Sequence, residues 1–86
     1  MIYEVRFRPR AAKQLQGLPK NVRTTIARVI DALAENPRPQ GAVALKGTEF
    51  MRVRVREYRI VYEIQDDVLL VLVVRLGHRR DVYRGL

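Results

Sequence analysis

Eighty-six residues, 48% of them apolar, are enough for one small core and too few for two. Residues 1–86 therefore read as a single domain that buries roughly 60–65% of its unfolded surface. Cysteine is absent, which excludes disulfides and thiolate metal sites, and 17 basic against 9 acidic side chains leave a net charge of +8, a field that draws polyanions, nucleic acid first.

Tyr3, Val5 and Phe7 alternate with Glu4, Arg6 and Arg8, the period-two pattern of a half-buried strand. Pro9 ends it and can open a helix, where its missing N–H costs nothing. Ala11, Ala12, Leu15 and Leu18 fall on one helical face before Gly17–Pro19 interrupts the run. A second helix is expected from about Pro19 to Glu35, with Val22, Ile26, Val29, Ile30 and Leu33 as its apolar stripe and Asn36-Pro37 as its stop. The two helices read as an antiparallel hairpin.

After a Pro/Gly-rich loop the period returns to two. Phe50–Arg56 places Met51, Val53 and Val55 on one face and Arg52, Arg54 and Arg56 on the other. Glu57 is the expected turn, Tyr58–Ile64 the next strand, and Gln65-Asp66-Asp67 another turn. Val68–Leu76 is almost continuously apolar, as a central strand covered on both faces would be. The predicted fold is α+β: an N-terminal strand, an antiparallel helix hairpin and a three-stranded antiparallel meander, with the helices packed on one face of the sheet. The run Val68–Val74 is far short of the about 20 residues that span a bilayer, and Met1–Arg6 lacks the apolar segment of a secretory signal. A cytoplasmic protein with no membrane partner is expected.

The charge has a pattern. Arginine supplies 14 of the basic residues and lysine 3, and a guanidinium holds phosphate through a flat, permanently protonated fork. Genomic base composition and thermal adaptation also enrich arginine. Side chains two apart on a strand recur every 6.5–7 Å or so, close to the backbone repeat of a single nucleic-acid strand. Arg59 shares the outward parity, and Arg75, His78, Arg79, Arg80 and Arg84 follow with Tyr83 among them. Guanidiniums beside an aromatic ring suit a phosphate backbone and an unpaired base. A solvated basic face is the plainer reading.

Lys46-Gly47, Arg52-Val53-Arg54, Tyr58-Arg59-Ile60-Val61-Tyr62 and Gly77-His78-Arg79-Arg80-Asp81-Val82-Tyr83 together resemble the RelE branch of the RelE/ParE toxins, the toxin halves of type II toxin–antitoxin pairs. The resemblance covers essentially the whole chain. Tyr-Arg-Ile-Val-Tyr is shared across the superfamily, whereas the last segment separates RelE-like from gyrase-directed ParE-like members.

The resemblance implies a ribosome-dependent endoribonuclease that cuts mRNA in the A site by attack of a ribose 2′-hydroxyl on the adjacent phosphate, with no metal or cofactor. Its partners would be a RelB-like cognate antitoxin, the ribosome and mRNA, and operator DNA through the antitoxin complex. Carried over by position, the catalytic set is Arg52, Arg54, Arg59, Arg79 and Tyr83, with Arg59 and Arg79 holding the scissile phosphate. Arg56, His78, Arg80, Arg84 and Lys46 are the expected RNA or ribosome contacts. Tyr83 would stack on a base, orient the 2′-hydroxyl or shuttle its proton.

Two departures matter. The family often has lysine where Arg52 and Arg54 stand, and arginine practically never gives up its proton, so these two are clamps and proton transfer falls to Tyr83, His78 or a ribosomal group. His78 also reads as a plain phosphate contact, and Glu63 as an ion-pair partner of Arg59. The chain also stops three residues after Tyr83 where many relatives continue into a helix, so this tail is expected to be mobile until an antitoxin segment holds it. The alternatives are a ParE-like gyrase inhibitor on the same fold and a non-catalytic nucleic-acid-binding co-repressor.

Overall fold

The structure, a computed structural model, describes residues 2–78 together with Val82 and Tyr83. Its elements are β1 (Glu4–Phe7), α1 (Pro9–Gln16), α2 (Lys20–Glu35), β2 (Val43–Ala44), β3 (Phe50–Val55), β4 (Tyr58–Gln65) and β5 (Leu70–His78). One sheet holds all the strands in the order β1-β5-β4-β3-β2, with β1 parallel to β5 and every other pair antiparallel. Both helices pack on the same side of it, α1 against β5 and β1, α2 against β1 and β3. The α+β architecture and its chain order are those expected. The short β2 is an addition: the loop after α2 returns to pair Val43 with Arg52 before Gly47, at φ 76°, turns the chain into β3.

Local chemistry sets the boundaries. Pro9 occupies the first turn of α1, where a missing N–H leaves no bond unmade. Asn36, just before Pro37, is extended and ends α2, because the proline ring crowds a helical conformation in its predecessor. Expected boundaries move in the meander. β3 stops at Val55, and Arg56 enters the turn with φ 57°, so it leaves the alternating row of Arg52 and Arg54. Asp66–Val68 wind into a 3₁₀ turn and Leu69 adopts φ 51°, so β5 begins at Leu70 rather than Val68.

The main core lies between helices and sheet. Ile26, Ile30 and Leu33, one stripe of α2, meet Val53 and Val55 of β3, Ile60 and Tyr62 of β4, and Val71, Val73 and Leu76 of β5. Each aliphatic side chain so buried stabilises the fold by about 1.5–3 kcal/mol. One end of this core is tied down by polar groups. The buried Tyr62 hydroxyl donates to the Pro37 carbonyl at 2.7 Å. Arg38 holds the Asp66 carboxylate through two hydrogen bonds of 3.1 and 2.8 Å, and the Tyr3 hydroxyl donates to the same carboxylate at 2.6 Å. The start of β1, the loop after α2 and the turn into β5 are thereby clasped together.

β5 carries a bulge. Val61 pairs with Arg75 and Tyr62 with Val73, leaving Val74 as the extra residue. Val71, Val73 and Leu76 face the helices, while Val74 and Arg75 both fall on the opposite side. Where β1 has ended, the backbone N–H of Leu76 is satisfied by the Gln14 side chain of α1 at 3.0 Å. No helix among the described residues is long and apolar enough to cross a membrane.

Candidate functional site

The helices leave one face of the sheet uncovered, and the registers place the arginines on it. Arg54 is directly opposite Arg59, and Arg59 is opposite Gly77. One rung further, Arg52, Val61 and Arg75 line up across β3, β4 and β5. Opposed residues of an antiparallel pair project from the same side, so Arg52, Arg54, Arg59 and Arg75 all project from this face. Gly77 adds no side chain beside Arg59, and a Cβ built there would touch nothing within 4 Å, which keeps that rung open.

The face also has a small apolar patch. Val61, Val74 and Val82 are buried together, with Leu45, Phe50, Leu72 and Tyr83 packed around them. Val82 is 0% exposed: it is docked, contrary to the expectation of a mobile tail at this point. That docking brings Tyr83 over β4. Nη1 of Arg59 donates to the Tyr83 hydroxyl at 3.1 Å, and the guanidinium carbon lies 5.4 Å from the ring centroid, within cation–π range. The ring thus holds the guanidinium through its face and its oxygen, limiting the positions Arg59 can adopt.

Charge on this face is poorly compensated. Nε of Arg52 and Nη1 of Arg75 are buried without a hydrogen-bond partner among the described residues. Desolvation, then the charges of Arg10 and Arg8, lower the pKa of Arg75. Such groups gain strongly from any anion that reaches them.

The remaining candidates are dispersed. His78 is opposite Tyr58, on the helix side of the sheet. Its ring meets Tyr58 edge-on at 5.9 Å and its Nε2 lies 3.3 Å from Glu57, so the structure does not bring it to Tyr83. Arg56 is exposed in the β3–β4 turn, and Lys46 is exposed beyond the other end of β3, before Phe50. Glu63 accepts from Gln65 at 2.7 Å rather than pairing with Arg59. Arg79, Arg80 and Arg84 lie outside the described residues. The reading from sequence missed Val82 as the residue that seats Tyr83; its single apolar position among charged neighbours was the available signal. Arg8 was visible only as an outward strand position, with nothing to show that it lies 6.0 Å from the Phe50 ring centroid.

Comparison with known proteins identifies the family. Residues 5–83 match the family model described as ParE toxin of type II toxin–antitoxin system. The chain is 32% identical to Toxin RelG of Mycobacterium tuberculosis, over 98% of this chain and 99% of that protein. It is 30% identical to the mRNA interferase toxin RelE of Escherichia coli, over 92% of this chain and 85% of that protein. The toxin-like fold in the archaeal RelE–RelB complex from Pyrococcus horikoshii superposes with a TM-score of 0.82 at 26% identity, covering 95% of this chain and 100% of that one. Fold, uncovered arginine face and sequence matches converge: the chain belongs to the RelE/ParE superfamily of type II toxin–antitoxin toxins.

Proposed function

We propose that this toxin is an mRNA endoribonuclease that acts on the translating ribosome and is restrained by a RelB-like antitoxin. The observation that carries the reading is the Arg59–Tyr83 contact beside Arg54, a pair of cations and a phenol on one open face. In the reaction a ribose 2′-oxygen attacks the adjacent phosphorus, the bond to the 5′-oxygen breaks, and a 2′,3′-cyclic phosphate and a 5′-hydroxyl result. Charge builds on the phosphate oxygens during that step, and fixed guanidiniums stabilise it without reorganising. Arg54 and Arg59 are assigned this role, joined by Arg79 on the strength of the family motif, with Arg52 as an outer clamp.

Tyr83 then takes the proton-handling position. Its oxygen already accepts from Arg59, so its single O–H is directed elsewhere and suits donation, either to orient the 2′-hydroxyl or to protonate the departing 5′-oxygen. Arginine is unsuited to act as base, and His78 is on the other side of the sheet. The base is therefore assigned to a group supplied by the ribosome or the RNA. Support for an antitoxin comes from the relatives: the Pyrococcus structure is a RelE–RelB complex, and an uncompensated arginine face is a surface that an acidic segment would neutralise.

The test is controlled expression followed by mapping of mRNA 5′ ends by primer extension. Cuts in codon phase that vanish when translation of that message is blocked support the reading. Intact transcripts with loss of gyrase supercoiling assign the chain to the ParE-like activity. Intact transcripts with normal gyrase leave a non-catalytic binder.

A further inference from the structure

Arg75 is outside the catalytic set and needs its own account. The bulge at Val74 places it on the uncovered face, one rung and one strand from Arg59, a diagonal step of about 7–8 Å. Its surroundings are cationic. Arg10 and Arg8 act on it as like charges, Nη1 is buried without a partner among the described residues, and α1 has no acidic residue in its first turn to offset them. Arg75 is half-buried, whereas Arg8 and Arg10 beside it are exposed; like charges gathered around a partly buried guanidinium oppose folding unless a bound anion offsets the cost.

We propose that Arg8, Arg10 and Arg75 form a second phosphate subsite, which holds the phosphodiester neighbouring the scissile one and extends the grip on an RNA strand. The inference rests on the reading of the Arg54–Arg59 rung as the cleavage site. RNA is favoured over an acidic peptide by two observations. The step from Arg59 to Arg75 is about one nucleotide, continuing the same track. Arg8 lies over the Phe50 ring at 6.0 Å, so its guanidinium plane has an aromatic support, and a backed guanidinium plane is a surface on which an unpaired base stacks.

The test uses the full-length protein and a fluorescent eight-nucleotide RNA with 2′-O-methyl sugars, which cannot be cut. Affinity is measured by anisotropy over a range of salt for wild type, Arg75→Gln, Arg8→Gln and the control Arg28→Gln, an exposed arginine on α2. Removing one phosphate contact lowers the slope of log affinity against log salt by about 0.7. Arg75→Gln and Arg8→Gln are expected to show that loss with several-fold weaker binding at low salt, while Arg28→Gln shifts the slope much less. The thermal midpoint of Arg75→Gln is expected to equal or exceed wild type, since an uncompensated charge is removed; a purely structural arginine would lower it. Slopes of Arg75→Gln and Arg8→Gln no different from Arg28→Gln overturn the subsite. So does weakened binding of a fluorescent glutamate octapeptide with RNA binding unchanged, which would assign the cluster to an acidic segment. Because this readout needs no cleavage, failure of the primer-extension experiment overturns the catalytic reading without mimicking either result.

Discussion

Arg54 and Arg59 face each other across the β3–β4 ladder on the side of the sheet that carries no helix. Like charges directly opposed destabilise a pair of strands, so this arrangement costs stability wherever no anion is bound. An enzyme that stabilises a developing phosphate charge has a use for that cost: the cations are in place before substrate arrives. Tyr83 helps to hold one of them, accepting from Arg59 at 3.1 Å.

Removing the anchored cation therefore tests the site most directly. Arg59→Ala is expected to slow RNA cleavage about 10²–10³-fold and to relieve growth arrest, with antitoxin binding retained. Tyr83→Phe keeps the ring over Arg59 but removes the hydroxyl; it too is expected to relieve arrest. Single-turnover cleavage on programmed ribosomes checks both, and a Tyr83→Phe variant that cuts at the wild-type rate overturns the proton-handling role.

Val82 offers a positional test. It is wholly buried against Val61 and Val74, away from the helix-side core. Val82→Asp places a charge in that patch and is expected to displace Tyr83, lowering the cleavage rate as far as Tyr83→Phe or further. Val82→Ile is expected to retain activity. Circular dichroism of the helices should be unchanged in both, which separates misplacement from unfolding.

The clasp at the far end of the sheet predicts acid behaviour. Hydrogen bonds from Arg38, then Tyr3, hold the Asp66 carboxyl down at about 2, against an ordinary value of 3.8. A depressed folded-state pKa contributes stability that is fully present above the unfolded value and disappears as pH falls through the folded one. Urea midpoints of wild type should therefore decline between about pH 4 and 2, and Asp66→Asn should show a flatter acid limb. Identical limbs for the two proteins would overturn the clasp's contribution.

Tyr62 predicts the alkaline limb. Burial pushes its hydroxyl up to about 12 from 10.0, so the contribution is present below the unfolded value and lost as pH rises toward 12. Tyr62→Phe leaves the Pro37 carbonyl without its donor, at a cost of about 1–3 kcal/mol, and should lower the thermal midpoint at neutral pH by several degrees. The variant should also lose much of the dependence on pH above 10.

Much of this was legible from periodicity. The parity of β3 and β4 puts Arg52, Arg54 and Arg59 on one face with no coordinates at all, and the i, i+4, i+7 spacing of Ile26, Ile30 and Leu33 marks the core stripe of α2. What periodicity cannot carry is an interruption in itself. The apolar run of β5 hides the bulge at Val74, because valine and leucine suit either side of a sheet. Val43–Ala44 is too short to show alternation, and a turn residue such as Arg56 is indistinguishable from a strand residue until its φ is known. His78 shows a related limit: its neighbours in sequence are basic, but its cross-strand partner is Tyr58, on the helix side and away from Tyr83.

The extra residue in β5 separates two jobs that one strand would otherwise have to share. Val71, Val73 and Leu76 keep their places beneath the helices whether or not Val74 is present, because the ladder re-enters phase after it. Insertions or deletions at this point are therefore silent to one surface of the molecule and felt only by the other. A lineage could refit the uncovered side here, adding or dropping an anchor for the tail or a cation beside it, without renegotiating the packing that keeps the chain folded.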